Sequence, residues 1–137
     1  MKVDGIVLEP VRAILRVESL LLLGLLIAFY WWMHANWIVF VILLLAPDIA
    51  MLGYLRNTQF GAFCYNVFHT LTAPFALGVA ALIIHPIAPF AIIWAAHIAM
   101  DRTLGYGLKY SDSFAHTHLG FIGKRSKDVD ALQNGEG

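Results

Sequence analysis

Six side chains able to do chemistry stand inside otherwise apolar stretches of this 137-residue chain: Glu18, Asp48, Asn66, His69, His97 and Asp101. Imidazole nitrogen and carboxylate oxygen are the donors that hold Zn, Fe or Mn. A carboxylate left outside such a metal shell can serve as general base. The spacing supports convergence. His97 and Asp101 are i, i+4, and Asn66 and His69 are i, i+3, so each pair shares one face of a helix. Glu18 and Asp48 can complete a ring from two further helices. Helical bundles build di-metal sites from such inward residues, usually with more glutamates and an E-x-x-H pair on two helices. Here Asn66 stands where that pair has Glu.

A second group follows in residues 101–120, DRTLGYGLKYSDSFAHTHLG. Arg102 and Lys109 offer positive charge for a phosphate or carboxylate headgroup. In an extended segment His116 and His118 point to one side, which makes H-x-H a candidate two-ligand clip. His34 and His85 fall in outer loops and read as interface residues. Cys64 reads as packing.

These residues need elements to hold them, and the composition says which. Hydrophobic residues make up 60% and charged residues 13%, against about 45–50% and ~25% in ordinary globular chains. Such a chain is not expected to be a soluble enzyme or a disordered segment. Nine Lys and Arg cancel nine Asp and Glu, which argues against nucleic acid as a partner. One cysteine excludes a disulfide framework. Four apolar stretches, 11–32, 37–54, 60–84 and 87–106, are each about 20 residues long, enough to cross ~30 Å of hydrocarbon. The expected fold is all-α, an integral membrane four-helix bundle over residues 1–122, with a flexible tail at 123–137. All nine basic residues fall at one end of these spans, so the positive-inside rule predicts N-in/C-in topology in a bacterial inner membrane. Tyr30, Trp31, Trp32 and Trp37 are expected at the opposite interface. Pro47 and Pro74 are expected to kink spans two and three, Pro47 beside Asp48.

Depth along the spans brings the polar groups to one level. At 1.5 Å per residue Glu18 lies about 9 Å from the cytoplasmic boundary, Asp48 about 12 Å and Asn66 about 10 Å. His69 lies about 15 Å in, His97 about 13 Å and Asp101 about 7 Å. The outer half of the bundle is almost wholly apolar. An ionisable group facing lipid costs on the order of 2.5–3.5 kcal/mol, so these should face one another.

The segments APDIAMLGYLRN, YNVFHT, WAAHIAMDRTLGYGLKY and FAHTHLG carry a resemblance. Together they resemble a family of small bacterial four-span membrane proteins catalogued as a domain of unknown function. The resemblance covers most of the chain and implies the membrane class. In residue type alone the set is similar to membrane-bound metal-dependent hydrolases. The H-x-x-x-D of His97 and Asp101 is also similar to the last motif of membrane lipid phosphatases, but their other motifs are missing. The leading expectation is a metal-dependent hydrolase or transferase acting on a lipid or amphiphile at the cytoplasmic leaflet. In it His69, His97 and Asp101, with His116 and His118, are metal ligands, and Asp48, Glu18 and Asp101 are catalytic carboxylates. Asn66, Arg102 and Lys109 bind substrate. Two alternatives use the same residues: a haem or small-ligand module with His69 and His97 as axial ligands, and a proton or ion conductor. The apolar outer half weighs against the conductor. The bundle is also a candidate homo-oligomer.

Overall fold

Runs of Leu, Ile, Phe and Ala without period-2 alternation fold as helices, and their ends are marked by capping residues. A computed structural model describes residues 5–123 and 131; the expected flexible tail falls almost entirely outside the described residues. Helix α1 spans Val11–Trp32 and α2 spans Trp37–Leu43. A 3-10 stretch, Ala46–Leu55, continues α2. Helices α3 (Thr58–His69), α4 (Thr72–Ala81) and α5 (Ala88–Leu104) follow. The Asn36 and Asn57 side chains open α2 and α3 by accepting from backbone N–H groups at 2.8 Å (Ile38) and 2.7 Å (Phe60). The architecture is an all-α four-helix bundle in which the second rod is α2 with its 3-10 continuation and the third is α3 with α4.

Two rods are broken rather than merely kinked. Pro47 lies in the first turn of the 3-10 stretch. Its missing N–H leaves Leu45 to Asp48 closed by an i, i+3 bond of 3.2 Å. Ten residues of 3-10 helix is far beyond the usual three or four. Pro74 sits in the first turn of α4, where no N–H is needed, and Thr70 is extended between α3 and α4. The breaks fall beside Asp48 and His69.

Helix α5 is the central rod. Its residues Ala91, Ile92, Ile93, Ala96, His97, Ile98 and Ala99 are buried, and it packs against α1 and α4. Helix α3 packs on the 3-10 stretch so closely that glycine is required. A Cβ on Gly61 would sit 2.3 Å from the Tyr54 ring, and one on Gly53 3.0 Å from Cys64 Cβ. At the far end Tyr30 anchors a cluster with Phe40, Ile92, Ile93 and Ala96. Its hydroxyl donates to the Asn36 carbonyl at 2.7 Å, and its ring meets Trp37 and Phe40 edge-on. Each such ring pair is worth about 0.5–1.5 kcal/mol beyond burial. Tyr30 is therefore core, unlike the interface position expected for it, whereas Trp31 and Trp32 are about 70% exposed.

After α5 the chain forms a strap. Gly105 ends the helix in the left-handed region, and the Tyr106 N–H returns to the Asp101 carbonyl at 2.8 Å. A small antiparallel hairpin, β1 (His116–Thr117) and β2 (Gly120–Phe121), closes the strap. The segment before α1 docks on it: the Val7 N–H donates to the His118 carbonyl at 2.8 Å, and Tyr110 Oη to the Gly5 carbonyl at 2.8 Å. Two segments, Val11–Trp32 and Trp37–Leu55, are each long and apolar enough to cross a membrane.

Candidate metal centre

Three rods of the bundle deliver four donors to one point. Asp48 comes from the turn that Pro47 opens, His69 from the last residue of α3, and His97 and Asp101 from adjacent turns of α5. One donor atom from each lies within 4.8 Å of all the others. His69 Nε2 and His97 Nε2 are 3.0 Å apart. Asp48 Oδ1 is 3.3 Å from His69 Nε2 and 3.5 Å from His97 Nε2. Asp101 Oδ2 is 3.6 Å and 3.7 Å from the same two atoms. A tetrahedral ion with bonds of ~2.0–2.2 Å has ligand–ligand edges of about 3.3–3.6 Å. Five of the six donor pairs, at 3.0–3.7 Å, have about that size, and the sixth, Asp48 with Asp101, lies within 4.8 Å.

The proton arrangement agrees with a cation site. His69 Nδ1–H donates to the Tyr65 carbonyl at 2.9 Å, which leaves a lone pair on Nε2 facing the cluster. His97 is wholly buried and its Nδ1 has no partner among the described residues. Lone pairs of two imidazoles and two carboxylates meeting this closely repel unless protons or a cation lie between them. Tyr65 braces the set. Its ring stacks on His69 at 3.7 Å, and its hydroxyl donates to Asp101 Oδ2 at 3.1 Å. Metal-binding histidines and carboxylates are characteristically held by such outer partners. The sequence reading missed Tyr65, although it stands four residues before His69 on the same face of α3.

The cluster borders a cavity of about 250 Å³ lined by Asp48, Met51, Tyr65, Asp101, Tyr106, Lys109, Phe114 and Ile122. The strap supplies half of that wall. Lys109 is held there by Asn66, whose Nδ2 donates to the Lys109 carbonyl at 2.8 Å and whose Oδ1 accepts from the Lys109 N–H at 2.7 Å. Asn66 thus acts on the backbone of the strap rather than lining the cavity. The Lys109 ammonium donates to the Phe114 carbonyl at 3.0 Å, and the rings of Phe114, Tyr65 and Tyr54 surround it. Burial pulls its pKa down to about 8, against the opposing pull of Asp101 and Asp48.

The remaining candidates lie elsewhere. Glu18 is exposed on α1 and takes no part in the cluster, because its turn faces outward. Arg102 is half-buried on α5 and does not line the cavity. The two strap histidines do not form a clip with the cluster. His116 Nδ1 binds the Asp112 carboxylate at 2.8 Å, and its ring stacks on Phe121. His118 Nδ1 accepts the Leu108 N–H at 2.8 Å, and burial keeps its pKa below the usual histidine value. A Cβ on Gly107 would lie 2.5 Å from that ring atom, so His118 locks against a glycine. Both histidines fasten the strap.

No curated protein and no solved structure matches the chain. One family model, described as a domain of unknown function (DUF4260), matches residues 12–122, a stretch that holds all four donors and the strap. With most of its length inside that match, the chain belongs to the DUF4260 family.

Proposed function

We propose that the protein is a membrane-embedded, metal-dependent enzyme, a hydrolase or transferase whose amphiphilic substrate is reached from the cytoplasmic leaflet. The observation that carries this reading is the convergence of Asp48, His69, His97 and Asp101 at the spacing of one coordination shell. A divalent ion held by these four supplies Lewis acidity and lowers the pKa of water toward ~7. Asp48 is about a third exposed, whereas His97 is fully enclosed. It is therefore the carboxylate placed to exchange between holding the ion and accepting a proton from water in the cavity. Tyr65 keeps the Asp101 carboxylate oriented. A Nε2–Nε2 separation of 3.0 Å favours a bare ion over haem, whose two axial nitrogens stand about 4 Å apart across the macrocycle.

The membrane placement is supported by the exterior. Large apolar side chains cover the outside of the rods around α5, among them Leu21, Leu25, Ile38, Val41, Leu55, Phe63, Phe75 and Ile83. Patches of that extent mark a membrane or partner surface. The basic residues among those described gather at the strap end, where Arg16 Nε donates to the Thr103 carbonyl at 2.9 Å, and this favours that end as the cytoplasmic one.

The test uses proteoliposomes made from a bacterial lipid extract and analysed by lipid mass spectrometry. Metal-loaded protein is expected to convert a lipid or added amphiphile, chelation to stop the conversion, and re-addition of metal to restore it. Proton or ion flux lost in Asp48→Asn, with no turnover of any lipid, would instead assign the cluster to conduction.

A further inference from the structure

Lys109 is a buried cation without a matched anion. The residue is 5% exposed, its walls are aromatic rings, and among the described residues its ammonium has one hydrogen bond, to a backbone carbonyl. Among the described residues no carboxylate forms an ion pair with it. A desolvated ammonium in that position is strongly unfavourable unless something compensates it. Asp48 and Asp101, across the same cavity, are the nearest source of negative charge. A divalent ion bound by two carboxylates and two neutral imidazoles cancels that charge. The cavity is then left with one positive charge, on Lys109. The apparatus that fixes Lys109 is specific: Asn66 grips both of its backbone atoms, so the ammonium is delivered by a clamped strap and not by a free loop.

Resting on the metal reading above, we propose that Lys109 recognises a phosphate oxyanion of the substrate, with one phosphate oxygen facing the Asp48–His69–His97–Asp101 centre and another facing the ammonium. Phosphate fits better than carboxylate. Lysine binds phosphate as a point charge without a fork, and the several oxygens of a tetrahedral phosphate let one anion face the donor cluster and the ammonium together. The arginine closest in sequence, Arg102, does not line the cavity. At about 250 Å³ the cavity falls below the ~300–1,000 Å³ that encloses a drug-sized ligand, so it admits a phosphate end and leaves any lipid chain outside.

Full-length protein loaded with zinc in detergent, with its metal content measured, is titrated with inorganic phosphate. Wild-type protein is expected to bind phosphate only when zinc is present. K109M is expected to keep wild-type zinc content and to lose about tenfold or more in phosphate affinity, and K109R to recover part of that loss. Zinc-loaded wild-type protein that ignores phosphate overturns the proposal whatever the variants do, as does K109M binding phosphate as tightly as wild type. A protein that takes up no metal overturns the metal reading and this inference with it, a result distinct from metal-loaded protein that ignores phosphate. Nanodiscs separate the sources: competition by phosphatidic acid, absent with phosphatidylcholine alone, identifies a lipid headgroup, and no competition identifies a soluble phosphate compound.

Discussion

Asn66 holds Lys109 by both backbone atoms, with contacts of 2.8 and 2.7 Å across 43 residues of sequence. One amide ties the strap to the helix that ends in His69, three residues on. Cavity wall and candidate metal ligand are therefore positioned by the same turn of α3. Asn66→Ala leaves the Lys109 N–H and carbonyl unpaired. It is expected to cost about 1–3 kcal/mol, read as a lower unfolding midpoint in detergent, and to expose residues 105–122 to faster hydrogen exchange while the metal content stays at the wild-type level.

Tyr65→Phe removes the hydroxyl that donates to Asp101 at 3.1 Å and keeps the ring stacked on His69. Loss of an outer-shell partner typically weakens metal affinity about 10–100-fold. Competition with a chromophoric chelator measures it. An unchanged affinity would show that Asp101 is oriented without Tyr65.

Alkaline pH acts on Lys109 with two opposite signs. Burial lowers its pKa to about 8 from 10.5. Between those values the unfolded chain holds the proton and the folded chain does not, so stability rises as pH climbs through that window. Anion binding needs the charged form and falls as the proton leaves. A bound metal cancels the carboxylate charge that supports the ammonium, so phosphate affinity of zinc-loaded protein is expected to decline already below pH 8, while the unfolding midpoint of metal-free protein rises above it, and K109R is expected to hold its affinity to higher pH. Titration calorimetry and thermal unfolding at pH 7, 8 and 9 check both signs.

Topology is open to reporter fusions. Alkaline phosphatase, active only outside the cytoplasm, is expected to be active when fused in the loops at 33–36 or 82–87 and inactive after residue 56 or at the C-terminus. Activity at the C-terminus would reverse the orientation, and activity at no position would argue that the bundle does not span the membrane.

Much of the bundle was legible because its signals are local. Apolar length gave the four rods of the bundle, and i, i+3 and i, i+4 spacing gave His69 and the His97–Asp101 pair a shared direction. Asp48 was legible as a polar residue at the same depth, beside a proline. The 3-10 stretch was not, because propensity scales describe α-helix and the geometry depends on Pro47 together with close packing of Gly53 and Gly61 against α3. Glu18 was misplaced because depth along a helix does not fix rotation about it: the right level on the wrong face leads outward. The H-x-H pair misled for a related reason. Each imidazole found a nearby strap partner, Asp112 or Leu108, and the hairpin register decides that. Asn66 was noticed as a site residue, but its role as a backbone clamp depends on a contact 43 positions away.

The most direct measurement is the metal-to-protein ratio of protein purified without chelator, taken by elemental mass spectrometry on wild type, His97→Ala and His116→Ala. One divalent ion per chain is expected in wild type, near-complete loss in His97→Ala, and retention in His116→Ala. No metal in a folded wild-type preparation even after exposure to Zn, Mn and Fe, or a loss in His116→Ala as large as that in His97→Ala, would contradict a centre built on Asp48, His69, His97 and Asp101.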